Sequence, residues 1–382
     1  MASPRLLATF VAMSGLLLAC SSPSSPQPAP TTEPPAMQPV ATNEPLPAAP
    51  QSCDLASLPV RDKLAQLLTV GVTGAADARA IVANQHVGGI MVGSWTDLSM
   101  LTDGSLADIV ANSGPLPLSV SVDEEGGRVS RLSSLIGSQP SARDLAQTRT
   151  ADEVYGIALE RGRAMRGLGI TVDFAPVVDV SANSAAIGDR SFGDDPAVVT
   201  EYAGAYARGL RDAGVLPVLK HFPGHGHASG DSHTGSVTTP PLADLQNNDL
   251  VPYKTLTTAA PVAVMVGHMQ VPGLTGGDPA SLSPAAYQLL RSGGYGGPGF
   301  NGVVYTDDLS SMAAINQRYG VADAVLRALR AGADNALWVT TGEVPAVLDG
   351  LEQAVAAGDL SQAAVDASLQ RVAAAKGGIR CG

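Results

Sequence analysis

VLPVLKHFPGHGHASGDSH, residues 215–233, decides the fold. It opens with a short apolar run, 215–222, that ends on Lys220 and His221 before its final Phe222, and it continues into a glycine-rich segment. The whole stretch holds four of the chain's six histidines together with Asp231. A strand buried on both faces must be apolar throughout, and a charge is tolerated only where the strand emerges, so this pattern reads as one strand of a parallel sheet carrying polar groups at its carboxyl end. Histidine serves as acid, base or metal ligand near neutral pH. A solvated linker would explain the glycines but not the spacing of Asp231 and His233.

Seven more runs of the same kind occur, at 67–72, 87–92, 116–123, 171–180, 261–268, 302–307 and 335–339. Helical periodicity lies between them, at 152–167, 197–214, 284–292, 321–331, 344–357 and 362–375, with Gly167, Gly214, Gly332 and Gly358 where helices should stop. Eight strand–helix units predict an α/β protein built as a single (β/α)8 TIM barrel, spanning 53–382. No internal sequence repeat is evident beyond this alternation. Sites in such barrels gather at the carboxyl ends of the strands. Asp123 closes the third run, Lys220 and His221 the fifth, His268 the sixth, and Asp307 with Asp308 the seventh.

Composition narrows the class of function. With 45% hydrophobic and 15% charged residues the chain builds a large core, and 23 Lys+Arg against 35 Asp+Glu give a net charge of -12, which disfavours nucleic acid as a partner. Aromatic residues are only 4%, with two Trp, so a pocket for a small polar ligand fits better than a long cleft paved with rings.

The first residues read as targeting rather than fold. Arg5 precedes an apolar run to Leu18, too short for a stable span, and Leu17-Leu18-Ala19-Cys20 resembles the lipobox of bacterial lipoproteins. The expectation is a signal peptide at 1–19, lipidation at Cys20, a disordered Pro/Ser/Ala-rich tether over 20–52, and an exported protein anchored by lipid at the outer face of the cell membrane. Cys53 and Cys381 remain, at opposite ends of the domain. In an exported protein they are candidates for a disulfide, which requires the termini to meet as they do in a closed barrel.

The motifs carry a family resemblance. KHFPGHG (220–226) followed by DSH (231–233) resembles the signature of glycoside hydrolase family 3, in its β-N-acetylglucosaminidase branch. DEEGGRV (123–129) with Arg131, FAPVVDV (174–180), DRSFG (189–193) and TDDLS (306–310) match the same family, across 58–372. The resemblance implies a retaining exo-β-N-acetylglucosaminidase that releases N-acetylglucosamine from peptidoglycan-derived fragments; no cofactor or metal is expected, and a monomer is the expected state. It assigns Asp307 as nucleophile and His233, oriented by Asp231, as acid and base. Asp123, Arg131, Arg190, Lys220 and His221 match the sugar-binding positions. Arg128 and Glu125 are expected to form an internal ion pair, Asp179 to anchor core hydrogen bonds, Asp308 and His225 to be structural, His227 to be solvated, and His268 is a candidate for the pocket floor. Glycines 224, 226 and 230 are expected to let the loop swing. Ser311 intervenes before Met312 where the family commonly has Met.

Three rivals stand beside this reading. The first is a metal hydrolase with His221, His225, His227 and His233 as ligands. The second is a phosphorylase on the same scaffold, because a neutral histidine does not repel phosphate as a carboxylate would. The third is a surface lipoprotein that binds sugar without turning it over.

Overall fold

The computed structural model describes residues 55–182, 186–259 and 261–378. Among the described residues ten strands occur in chain order: β1 (Leu68–Val72), β2 (Gly89–Val92), β3 (Ser119–Val122), β4 (Val172–Asp173), β5 (Leu216–Phe222), β6 (Val237–Thr238), β7 (Ala263–Val266), β8 (Met269–Gln270), β9 (Val304–Thr306) and β10 (Ala336–Trp338). Eight of them form one parallel sheet in the order β10-β1-β2-β3-β4-β5-β7-β9, while β6 and β8 pair separately. A bridge from Tyr305 to Asn335, reinforced by the Thr306 N–H on the Asn335 carbonyl at 3.0 Å, joins β9 to β10 and closes the ring. This is the (β/α)8 barrel.

The strands are near-continuously buried because helices cover them outside and side chains fill them inside. Helices Pro284–Ser292, Val321–Ala331, Val344–Ala357 and Gln362–Ala375 have the bounds that periodicity predicts. Ala151–Gly167 starts with a capping box in which the Glu153 carboxylate accepts the Thr150 N–H at 2.7 Å. Val344–Ala357 ends at Gly358, whose φ of 80° suits a residue without Cβ.

The fourth apolar run is the exception, since only Val172–Asp173 of it joins the sheet. Pro176 offers no N–H to a ladder, so beyond Asp173 the run keeps only irregular bonds to β5: the Ala175 carbonyl accepts the Val218 N–H at 2.9 Å, and Val178 donates to the Lys220 carbonyl at 2.7 Å. Asp179 thereby arrives beside His221. Asp123 and Lys220 follow or end strands that are not neighbours and still touch, so both project toward the barrel axis.

The first described residues, Leu55–Ser57, pack against the last helix, Gln362–Ala375. Cys20, Cys53 and Cys381, with the leader and tether expected over 1–52, lie outside the described residues. Among the described residues no helix is long and apolar enough to cross a membrane.

Candidate active site

A chain of ion pairs lines the mouth of the barrel. The Lys220 ammonium bridges Asp123 Oδ1 at 2.6 Å and Glu125 Oε1 at 2.7 Å, and Arg190 grips the same Glu125 through Nε and Nη2 at 2.7 and 2.8 Å. Burial alone would raise the Glu125 carboxyl, but Arg190 and Lys220 outweigh it and hold the group far below the usual carboxylate range. Burial likewise opposes the charge on Lys220, and Asp123 and Glu125 overcome it. One ammonium hydrogen of Lys220 is left over from these two contacts. Asp123 is the open end of the network, with 21% of its side chain exposed against 3% for Lys220.

His221 extends the chain inward. Its Nδ1 donates to the fully buried Asp179 at 2.7 Å, which leaves Nε2 turned toward Arg190 Nη2 at 3.5 Å. Asp179 also accepts the N–H of His225 at 2.7 Å, so one carboxylate aligns both histidines. Burial would raise Asp179, yet His221 and His225 hold it low.

Asp307 stands directly after β9, its N–H bonded to the Val266 carbonyl of β7 at 3.0 Å. Its Oδ1 accepts the Asp308 N–H at 2.9 Å. Burial pushes the carboxyl up, but His268, His221, that N–H and Lys220 bring it down to about 2. His268 lies beneath, fully enclosed, with Nε2 on the Asp308 carbonyl and Nδ1 on the Ser281 hydroxyl. Burial lowers the pKa of this ring, against the opposing pull of Asp307. The Asp308 carboxylate turns back to accept from the N–H and hydroxyl groups of Ser310 and Ser311, which makes it structural as expected.

The loop after β5 brings Asp231 and His233 together. Asp231 Oδ1 accepts both the His233 N–H at 2.9 Å and Nδ1–H at 2.7 Å, leaving the exposed ring's Nε2 free to exchange a proton. The loop rests on the chain that follows Asp307, because the N–H groups of Ala313 and Ala314 donate to the His233 and Ser232 carbonyls. His225 Nε2 reaches the Ser232 hydroxyl at 3.3 Å from below. The expected role for the loop glycines holds only in part: a Cβ on Gly226 would meet the Val180 carbonyl oxygen at 1.9 Å, and one on Gly224 the Asp249 side chain at 2.4 Å, so both serve close packing, while Gly230 has room.

Two expectations are corrected. Arg128 does not pair with Glu125, because the chain reverses at Gly126-Gly127 and carries Arg128 out to Asp189 at 2.9 Å and to the carbonyls of Ala186 and Ile187. His227 is not simply solvated, since its Nδ1 binds the buried Asp249 at 3.0 Å. The four histidines of the loop region therefore turn to separate partners rather than to a common point. Arg131 is tied down by its N–H on Glu124 Oε2 at 2.7 Å, and its guanidinium makes no ion pair or hydrogen bond among the described residues. Sequence reasoning missed Glu125 as the hub, the buried Glu124–Arg161 pair beneath it, and Asp249. Their partners are distant in sequence, with Arg161 on the helix Ala151–Gly167, Lys220 on β5 and Arg190 on the turn at 188–190, and the acidic run DEE at 123–125 hinted only at Glu124 and Glu125.

Known proteins share this arrangement of chain. Residues 59–375 match the glycosyl hydrolase family 3 N terminal domain. The chain is 65% identical to LpqI, a β-hexosaminidase of Mycobacterium tuberculosis, over 99% of this chain and 98% of that one. A glycosyl hydrolase of family 3 from Mycobacterium smegmatis superposes with a TM-score of 0.85 at 83% identity, covering 86% of this chain and 100% of that one. A family 3 β-N-acetylglucosaminidase from Paenibacillus sp. gives 0.78 at 33% identity, covering 84% and 62%. With the barrel, its strand-end carboxylate and this likeness over nearly its whole length, the chain belongs to glycosyl hydrolase family 3.

Proposed function

We propose that the chain is a retaining exo-β-N-acetylglucosaminidase. The observation that carries it is the joint presence of a carboxylate held ionised at a strand end, Asp307, and an imidazole, His233, whose free Nε2 is set by Asp231 on the loop docked just after that strand. Asp307 attacks the anomeric carbon as the bond to the leaving oxygen breaks, and His233 Nε2–H gives that oxygen its proton. Water then returns a proton to His233 and attacks the anomeric carbon, freeing Asp307. Asp123, Lys220, Arg190, His221 and Arg131 hold the sugar hydroxyls.

N-acetylglucosamine at the end of peptidoglycan-derived fragments is the proposed substrate, in line with the β-hexosaminidase and β-N-acetylglucosaminidase relatives. Lipidation at Cys20 would hold the enzyme at the outer face of the membrane, and the packing of Leu55–Ser57 on the last helix favours a Cys53–Cys381 disulfide. The test is turnover of 4-nitrophenyl N-acetyl-β-glucosaminide followed by NMR in phosphate buffer. Initial release of the β-anomer of free N-acetylglucosamine supports retaining hydrolysis. The α-anomer, or N-acetylglucosamine 1-phosphate in its place, would overturn it.

A further inference from the structure

Of the two tryptophans, Trp338 is fully buried and Trp95 is 43% exposed, the most exposed Phe, Tyr or Trp among the described residues. Trp95 follows β2, at the same end of the barrel as Asp123, Lys220 and Asp307. Val92 of β2 is in parallel register with Val122 of β3, so the next residues, Gly93 and Asp123, stand side by side and share a face, which for Asp123 is the barrel axis. Gly93 contributes no side chain there. Trp95 takes the space instead: a Cβ built on Gly93 would lie 2.4 Å from indole Cη2 and Cζ2. With neighbouring strands about 4.8 Å apart, the indole leans over the mouth within reach of a ring bound to Asp123.

The turn that presents it is rigid. Thr96 N–H donates to the Gly93 carbonyl at 3.2 Å, the Thr96 hydroxyl accepts the Gly93 N–H at 2.9 Å, and it donates to the Val72 carbonyl at 2.6 Å. Position in the ring decides what the indole meets. In the strand order, β2 lies three strands from β5, which carries the His233 loop, and three from β9, which carries Asp307. A sugar reacting between that loop and Asp307 turns its leaving group toward them and its far side toward β2 and β3. Sugar rings offer a C–H face to an indole and a hydroxyl rim to charged groups.

We propose that Trp95 is the stacking platform for the N-acetylglucosamine ring whose hydroxyls Asp123 and Lys220 bind, an assignment that rests on the activity proposed above. Trp95→Ala raises KM for 4-nitrophenyl N-acetyl-β-glucosaminide, and the inhibition constant of free N-acetylglucosamine, roughly tenfold, while kcat stays within about threefold. Trp95→Phe recovers most of the loss. Free N-acetylglucosamine shifts the tryptophan emission of the wild type and of Trp338→Phe, because Trp95 is the responding ring. Unchanged constants in Trp95→Ala beside a normal wild type would overturn the platform alone. A loss confined to substrates with a sugar leaving group would also overturn it, since the indole would then belong to the leaving-group side. A wild-type chain that neither cleaves the glycoside nor binds the sugar would sink the activity and the platform together.

Discussion

Replacing Glu125 by Gln isolates the hub of the ion network. The side chain is 4% exposed and makes three charge-assisted contacts, to Arg190 at 2.7 and 2.8 Å and to Lys220 at 2.7 Å. Gln keeps the shape but removes the charge, leaving Arg190 matched only by more distant carboxylates and Lys220 with Asp123 alone. Breaking a buried pair from one side costs about 3–5 kcal/mol. At a urea slope of about 3 kcal/mol per molar, the unfolding midpoint should fall by about 1–1.7 M. The exposed Arg128–Asp189 pair supplies the contrast, with side chains 49% and 47% exposed. Arg128→Met should cost about 1 kcal/mol or less. Because the folded-state pKa of Glu125 lies below its ordinary 4.5, its stabilisation is complete above that value and lost as pH falls below it. The gap between wild type and Glu125→Gln should therefore narrow in acid. Equal, small losses in the two variants at neutral pH would refute the assignment of Glu125 as hub.

Asp231→Ala should lower kcat/KM about 100-fold or more for glycosides with poor leaving groups and less than about tenfold for a dinitrophenyl leaving group, which departs without a proton; equal losses would count against proton transfer by the pair. Asp307, with a pKa near 2 against an ordinary 3.8, is ionised throughout pH 4–6, so kcat/KM should show no acid limb from it in that range. An acid limb at pH 4–6 in protein that stays folded by circular dichroism, persisting in Asp231→Asn, would contradict this. Gly226→Ala, with its Cβ 1.9 Å from the Val180 carbonyl oxygen, must displace the start of the loop and should lower kcat about 100-fold. Gly235→Ala, with nothing within 4 Å, should stay within about twofold, and comparable activity in the two variants would show that the loop's seat is irrelevant.

Much of the barrel is legible because its strands are apolar runs whose polar residues fall at one end. The 215–222 run becomes β5 nearly intact, and Asp307 falls where a seventh strand should end. The fourth run misleads since hydrophobicity continues past Pro176, where the ladder cannot. Arg128 was the near cation for Glu125 in sequence, but a turn of two glycines separates them, and the true partner, Arg190, is 65 residues away on another loop. The sequence sets Trp338 inside an apolar run and Trp95 just past the end of another, but does not say where the Trp95 indole turns. Only the register of β2 on β3, and the empty face of Gly93, place one of them over the mouth.

The role of Asp307 is tested most directly by Asp307→Gly with azide, using a substrate whose leaving group needs no proton. Hydrolysis should collapse, and azide entering the space of the missing carboxylate should restore turnover as α-glycosyl azide of N-acetylglucosamine. An Asp307→Gly enzyme that hydrolyses at the wild-type rate, or one that azide rescues only to free sugar, would contradict a covalent intermediate on Asp307.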